Sequence, residues 1–206
     1  MRLLPTAVAS GLLALAAAAV PASPAEATVF IRVTGDVLAE YVKGWKQESA
    51  RREVEIGTGS GFVVSPSGYV LTNHHVVAGR EYTMPSRRLD VGDVRVRLEV
   101  KRIDVVVPSA AGSAERVLEA SVVAADPELD LALLSVGASD LPSLPLGDSD
   151  ALELGQPVTA WGFPLGHTVE VARERPQEAL PTVAASPGSV AALRADDEGE
   201  ALEAVS

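Results

Sequence analysis

Residues 57–77 read GTGSGFVVSPSGYVLTNHHVV. Two valine-rich runs, Gly61–Val64 and Tyr69–Thr72, flank the turn sequence Ser65-Pro66-Ser67-Gly68, and this arrangement predicts a β-hairpin. Short apolar runs separated by turn residues continue along the chain. Further strands are expected at Val94–Val100, Ile103–Val107, Val117–Ala124, Leu129–Val136, Pro157–Trp161 and Thr168–Val171. Many short strands with this punctuation favour an all-β antiparallel sandwich or barrel over a βαβ fold.

The glycine cluster Gly57-Thr58-Gly59-Ser60-Gly61 invites comparison with dinucleotide-binding loops. That fingerprint requires a third glycine at position 62, where this chain has Phe62, and a helix should follow it. A hairpin is expected to follow instead. These glycines are therefore interpreted as sites of close backbone approach and bending in a barrel strand.

The N-terminus has the composition of an export signal. Arg2 precedes an apolar stretch over residues 7–20, and Ala25-Glu26-Ala27 resembles an A-x-A cleavage site. The stretch is shorter than the roughly 20 residues that a membrane-spanning helix needs. We therefore expect residues 1–27 to be a cleaved signal peptide, with the mature protein periplasmic or extracellular and without a stable membrane anchor.

The overall composition excludes several classes of function. The net charge is −11, and without a Lys/Arg cluster this argues against nucleic acid as a partner. The chain has no cysteine, which excludes a cysteine nucleophile and a thiolate metal site. Among residues 36–52, Asp36 can cap a helix and Leu38, Tyr41, Val42 and Trp45 recur at helical spacing, so a helix is expected there.

Three histidines are present: His74, His75 and His167. Adjacent histidines on a strand point to opposite faces, so a metal site is not expected. His75 follows a strand, where a side chain can be held at the edge of a cleft. Asp130 opens an apolar run and can orient an imidazole, as serine hydrolases require. From the residues alone, an aspartate in the position of Asp130 is more often a turn or edge residue.

Residues 57–77 resemble the opening of the HtrA/DegP-like trypsin proteases, which read G-x-G-S-G-F and then G-y-[IV]-[LV]-T-N-x-H-V-V. Residues 126–134 (DPELDLALL) are similar to the family's D-x-x-x-D-L-A-[LV]-L segment. Residues 146–166 resemble the entry into the second barrel, and Gly188–Arg194 resembles a later strand. The resemblance implies that His75 is the catalytic general base and Asp130 its orienting acid, while His74 is a variable position.

The resemblance implies a trypsin-like double β-barrel preceded by a short helix. We expect a helical lead-in over residues 28–55, a complete first barrel over 56–145 and a partial second barrel over 146–206. An insertion spans roughly Arg95–Arg116, and residues 108–116 are expected to form a flexible loop. The family acts on polypeptides, often misfolded ones, without a cofactor or metal, and assembly into a homo-oligomer stays open.

The family's nucleophilic serine lies in a G-N-S-G-G-P segment, which is not found among residues 1–206. Ser186, Ser189 and Ser206 lack the flanking glycines that an exposed nucleophile and a backbone oxyanion hole require. No nucleophile is assigned, and the 206-residue chain alone is expected to be inactive. Three alternatives stay open: a protease whose serine segment is missing, a pseudoprotease that binds extended peptides, and a non-functional remnant.

Overall fold

The computed structural model describes residues 22–87, 91–108, 115–164, 182–195 and 201–205, and within them strands dominate. Two short helices are present, α1 (Pro24–Ala27) and α2 (His74–Val77), with a 3-10 turn at Ser149–Ala151. The strands are β1 Thr28–Lys43, β2 Lys46–Ser65, β3 Tyr69–Asn73, β4 Arg80–Met84, β5 Val94–Val107, β6 Arg116–Asp126, β7 Leu131–Val136, β8 Pro157–Gly162, β9 Ala184–Ala195 and β10 Ala201–Val205.

Six of these strands close into an antiparallel barrel. Their order is β1-β2-β3-β7-β6-β5, and an additional pairing between β1 and β5 completes the ring. β4 pairs with the N-terminal part of β5, from Arg80↔Leu98 to Met84↔Val94, and is not part of the closed ring. β8, β9 and β10 form a separate three-stranded sheet. The expected all-β, trypsin-like architecture with a closed barrel is confirmed, and β8, β9 and β10 lie in the region where a partial second barrel is expected.

The helix expected over residues 36–52, and with it the helical lead-in over 28–55, is wrong. These residues form the long β1–β2 hairpin, whose turn contains Gly44 at a φ of 60°. β1 also pairs with β5 from Phe30↔Val106 to Glu40↔Arg95. Because β1 gains strand partners on both sides, tertiary pairing overrides the local helical spacing of apolar residues. The barrel consequently begins at Thr28.

The other strand predictions are largely confirmed. The hairpin around residues 65–68 connects β2 and β3, and the two runs expected at 94–100 and 103–107 are one continuous strand, β5. The apparent insertion therefore lies mainly in β5. The runs at 117–124, 129–136 and 157–161 lie in or overlap β6, β7 and β8. The strand expected at 168–171, His167, residues 109–114 of the expected loop and most of the expected signal peptide lie outside the described residues.

The barrel interior is filled by alternate residues of its strands, as the two-residue repeat of a strand requires. Gly68, at a φ of 97°, ends the β2–β3 turn and packs against the carbonyl of Val136 too closely to leave room for a side chain. No helix of the described residues is long and apolar enough to cross a bilayer. The core residues are Val29, Ile31, Val33, Val63, Val70, Val76, Val77, Ile103, Val105, Val107, Ala132, Leu134, Val136 and Leu141.

The three-stranded sheet contacts the barrel through a small apolar cluster. The rings of Phe30 and Phe163 meet edge to face with centroids 5.6 Å apart, and Val106 and Val183 pack around them. Beside this cluster the backbone N–H of Phe163 donates to the hydroxyl of Ser60 at 2.8 Å. The end of β8 is therefore joined to β1 and β5 by apolar packing and to β2 by a hydrogen bond.

Candidate active site

β3 and β7 place His75 and Asp130 side by side. The two strands pair from Tyr69↔Ser135 to Asn73↔Leu131. His75 lies in α2, which begins directly after β3, and Asp130 ends the turn directly before β7. Because the pairing is antiparallel, the end of β3 and the start of β7 meet at the same edge of the barrel. The prediction that His75 directly follows a strand agrees with this arrangement. Asp130, expected at the start of a strand over 129–136, lies in the turn directly before that strand.

Two hydrogen bonds join the residues, although they are 55 positions apart in the chain. His75 Nδ1 and Asp130 Oδ2 lie 2.6 Å apart, and the backbone N–H of His75 donates to Asp130 Oδ1 at 2.8 Å. Both carboxylate oxygens of Asp130 are therefore directed at His75. A proton on Nδ1 leaves Nε2 of the imidazole as the acceptor, which is the tautomer that a general base needs.

The electrostatics of Asp130 follow from these contacts. The backbone N–H of His75, and next its side chain, hold the pKa of the Asp130 carboxyl below its ordinary value. A carboxylate that accepts hydrogen bonds in its charged form is stabilised in that form. The two side chains are 61% and 42% exposed, so solvent reaches both. At neutral pH the Asp130 carboxyl is therefore anionic, and the His75 ring beside it is accessible to solvent.

The turn that presents Asp130 is ordered by another aspartate. Asp126 Oδ1 accepts hydrogen bonds from the backbone N–H groups of Glu128 and Leu129, at 2.9 and 3.1 Å. An aspartate commonly bonds to the backbone of the following residues in this way and shapes a turn. Asp126 therefore shapes the turn, while Asp130 contacts His75.

Gly59 allows α2 to approach the barrel. A Cβ built at Gly59 would lie 2.6 Å from both methyl carbons of Val76, the residue after His75. The interpretation of the glycine cluster as a site of close approach is confirmed at this position. Val76 and Val77 are buried in the barrel core. Core packing thus fixes one side of α2, and the hydrogen bonds to Asp130 fix the other.

A mainly apolar cavity of about 390 Å³ reaches the strand ends next to the pair, although neither His75 nor Asp130 is among its lining residues. Asn73 and Leu131, the adjacent ends of β3 and β7, form part of its wall. Phe62, Leu144 and Trp161 contribute apolar surface from three other parts of the chain. Pockets of this size with apolar walls and a few polar groups are typical of binding sites.

The remaining candidate residues do not join this site. Ser186 and Ser189 lie inside β9, in regular pairing with Ala160 and Pro157 of β8. A paired strand does not present a serine on the sharp turn that a nucleophile and its oxyanion hole require. Ser206 and His167 lie outside the described residues. The described part of the chain contains no group of three or more His, Asp or Glu side chains arranged to hold a metal ion.

Sequence reasoning assigned no role to Asn73, which the structure places against Asp130. Its side-chain Nδ2 donates to the backbone carbonyl of Asp130 at 3.1 Å. An asparagine directly before a helix is a signal for helix capping. That signal marks the residue, but the partner of its side chain depends on the pairing of β3 with β7.

A comparison with protein families matches residues 59–205 to the trypsin-like peptidase domain. The chain belongs to this family. The closed barrel and the motifs around residues 57–77 and 126–134 agree with that assignment. Within the family the chain is HtrA/DegP-like, as its sequence motifs predicted.

Curated relatives are similar to about half of the chain. A protein of Pseudomonas fulva (strain 12-X) named "Probable periplasmic serine endoprotease DegP-like" is 41% identical over 108 residues, which is 52% of this chain and 17% of the relative. A protein of the same name from Marinomonas sp. (strain MWYL1) is 41% identical over 52% of this chain and 18% of its own length. The matched part therefore spans less than a fifth of each relative.

Proposed function

We propose that His75 and Asp130 are the general base and the orienting acid of a serine endopeptidase that hydrolyses peptide bonds in exported or misfolded proteins. The double hydrogen bond between Asp130 and His75 supports this assignment most directly. The names of the DegP-like relatives support a periplasmic location. The proposed reaction needs polypeptide substrates and no cofactor.

The mechanism requires a nucleophilic serine. No serine among residues 1–206 is assigned to this role. A serine hydroxyl attacks the peptide carbonyl while His75 Nε2 takes its proton, and a tetrahedral oxyanion forms. When that intermediate collapses, the C–N bond breaks and His75 returns the proton to the leaving amine. Water then releases the acyl group by the same steps. Asp130 stays ionised throughout and stabilises the imidazolium. Without the serine, only residual catalysis is expected.

The assignment is tested in a fusion protein. The C-terminus of this chain is joined to the part of the Pseudomonas fulva relative that carries the nucleophilic serine. We expect this fusion to cleave unfolded casein. Asp130→Asn should lower kcat about 10⁴-fold, and His75→Ala should lower it about 10⁶-fold, the loss typical of removing the general base. His74→Ala is the matched control and should leave kcat unchanged. Casein cleavage that survives His75→Ala would refute the assignment.

Peptide binding without cleavage is a second candidate function. The apolar cavity at the adjacent ends of β3 and β7, walled in part by Phe62, Leu131 and Trp161, supports it. The unextended chain should then bind a fluorescein-labelled unfolded peptide, detected by fluorescence polarisation, without being labelled by a fluorophosphonate. Trp161→Ala should weaken binding, while Leu154→Ala, at an exposed residue outside the cavity wall, should not. An absence of polarisation change would rule this function out.

A further inference from the structure

The first turn of α2 has an unusual capping arrangement. Asn73 occupies the N-cap position with an extended backbone (φ −77°, ψ 143°), yet its side chain makes no capping hydrogen bond. Asparagine at this position normally accepts from an N–H in the first helical turn. Here the acceptor is Asp130 Oδ1, which takes the N–H of His75. Asp130, from a distant part of the chain, therefore caps α2 in place of the side chain of Asn73.

The side chain of Asn73 instead donates a hydrogen bond to the backbone of Asp130. Asp130 has a φ of 53°, the left-handed conformation that non-glycine residues adopt only at some cost. Its carbonyl oxygen accepts two hydrogen bonds, one from the backbone N–H of His74 at 3.0 Å and one from Asn73 Nδ2 at 3.1 Å. These bonds hold the carbonyl on one side of the residue while its carboxylate faces His75.

The strand that carries Asn73 is itself fixed. Thr72 is buried, and its hydroxyl donates to the carbonyl of Ser60 in β2 at 2.8 Å. Asn73 pairs with Leu131, the residue after Asp130. The amide of Asn73 thus projects from an anchored position, and its hydrogen bond transmits that fixed geometry to the backbone of Asp130.

We propose that Asn73 is a positioning residue, which holds the backbone of Asp130 so that both carboxylate oxygens stay directed at His75. Asn73 would act through Asp130 and would not contact the substrate. Its catalytic consequence rests on the proposed function, whereas its effect on the geometry of the pair does not. The amide of Asn73 would then slow the exchange with water of the Nδ1 proton that lies between His75 and Asp130.

The test uses the full chain and ¹H–¹⁵N NMR of the histidine rings, which requires no activity. The Nδ1 proton of His75, shared over 2.6 Å, should give a downfield resonance that exchanges slowly with water. Asn73→Ala should increase its exchange rate at least tenfold. Asn73→Asp keeps the shape of the side chain but removes the donor, and should have the same effect. His74→Ala, which keeps the backbone donor to Asp130, is the control.

The inference is overturned if the resonance and its exchange rate are unchanged in Asn73→Asp, or if His74→Ala changes them equally. Should Asn73→Ala not fold, the isosteric Asn73→Asp variant decides. In the extended fusion, Asn73→Ala should lower kcat about tenfold with KM unchanged. If the fusion shows no cleavage that depends on His75, the proposed function fails, while the NMR experiment still decides the role of Asn73.

Discussion

At the residue scale, a methyl group added at Gly59 would press directly on the helix that carries His75. Its missing side chain leaves room for Val76, and thereby sets the distance between α2 and β2. Gly59→Ala should destabilise the protein by about 1–3 kcal/mol, the usual range for overpacking. It should also displace His75 from Asp130 and weaken the downfield resonance. Urea unfolding and NMR measure the two effects.

Gly57→Ala is the matched control for that substitution. A Cβ at Gly57 would lie 3.7 Å from the carbonyl of Val76, which is an ordinary contact. Alanine also restricts the unfolded chain more than glycine does. Gly57→Ala should therefore be neutral or slightly stabilising. Equal destabilisation by both substitutions would show that the close approach of Val76 is not what requires glycine.

Asp130 makes the stability of the barrel depend on pH. Its pKa is lowered from an ordinary value of 3.8 by the hydrogen bonds from His75. A group with a lowered folded-state pKa contributes stability above its unfolded pKa and loses it as the pH falls through the folded value. The free energy of unfolding should therefore fall less in Asp130→Asn than in the wild type when the pH is lowered from 5 to the lowest value at which the protein stays folded. Urea unfolding over this range measures the difference, and an unchanged slope would contradict the prediction.

The sequence points to His75 and Asp130 because short motifs around each residue resemble a family pattern. Their mutual hydrogen bonds are not visible in either motif, because they depend on the pairing of β3 with β7. The role inferred for Asn73 depends on the same pairing, and in addition on the left-handed backbone of Asp130. No local pattern specifies that backbone, since an aspartate in a turn adopts several conformations.

At the scale of elements, the β1–β2 hairpin is where sequence reasoning failed and where the structure has an unusual buried charge. Asp36, expected to cap a helix, is 2% exposed. Arg51 Nε donates to its carboxylate at 2.7 Å, and Lys101 Nζ lies 3.1 Å away. Arg51 comes from β2 and Lys101 from β5, so this one carboxylate joins three strands. Leu38 and Trp45 fit a helical repeat, but the partner strands that decide the outcome lie elsewhere in the sequence.

Removing this charge should loosen the hairpin. The hydrogen bond from Arg51, followed by the interactions with Lys101, outweighs the effect of burial and lowers the pKa of Asp36. Asp36→Asn should therefore lower the free energy of unfolding at pH 7 and have a smaller effect well below pH 3.8, where the wild-type carboxyl begins to be protonated. Hydrogen exchange of the β1 amides should increase in the variant. Glu40→Gln, at an exposed residue of the same strand, is the control.

At the scale of the whole molecule, the three-stranded sheet depends on a small contact with the barrel. Phe163 is buried, with Phe30 as its aromatic partner. Phe163→Ala should cost about 3–5 kcal/mol, the usual range for such a truncation. Most of this loss should fall on the docking of β8, β9 and β10. Limited proteolysis should then cut after residue 147 while β1, β5 and β7 stay protected.

Leu154→Ala is the matched control, because Leu154 is 68% exposed and its truncation removes little buried surface. It should leave the proteolysis pattern unchanged. Cleavage inside β1 or β5 at the same rate as in β8, in the Phe163→Ala chain, would mean that the barrel and the sheet unfold together.

The β1–β5 pairing that closes the barrel also has a consequence in time. Phe30 in β1 lies opposite Val106 near the end of β5. The pairing of β1 with β5 can therefore be completed only after these two distant parts of the chain have come together. Pairing between distant parts of a chain must overcome the entropy of loop closure before it gains contacts. We expect refolding on the order of milliseconds to seconds, as for other non-local β-barrels. Until that step, β1 has no partner on its β5 side, and that side is the surface on which a second unfolded chain would first pair.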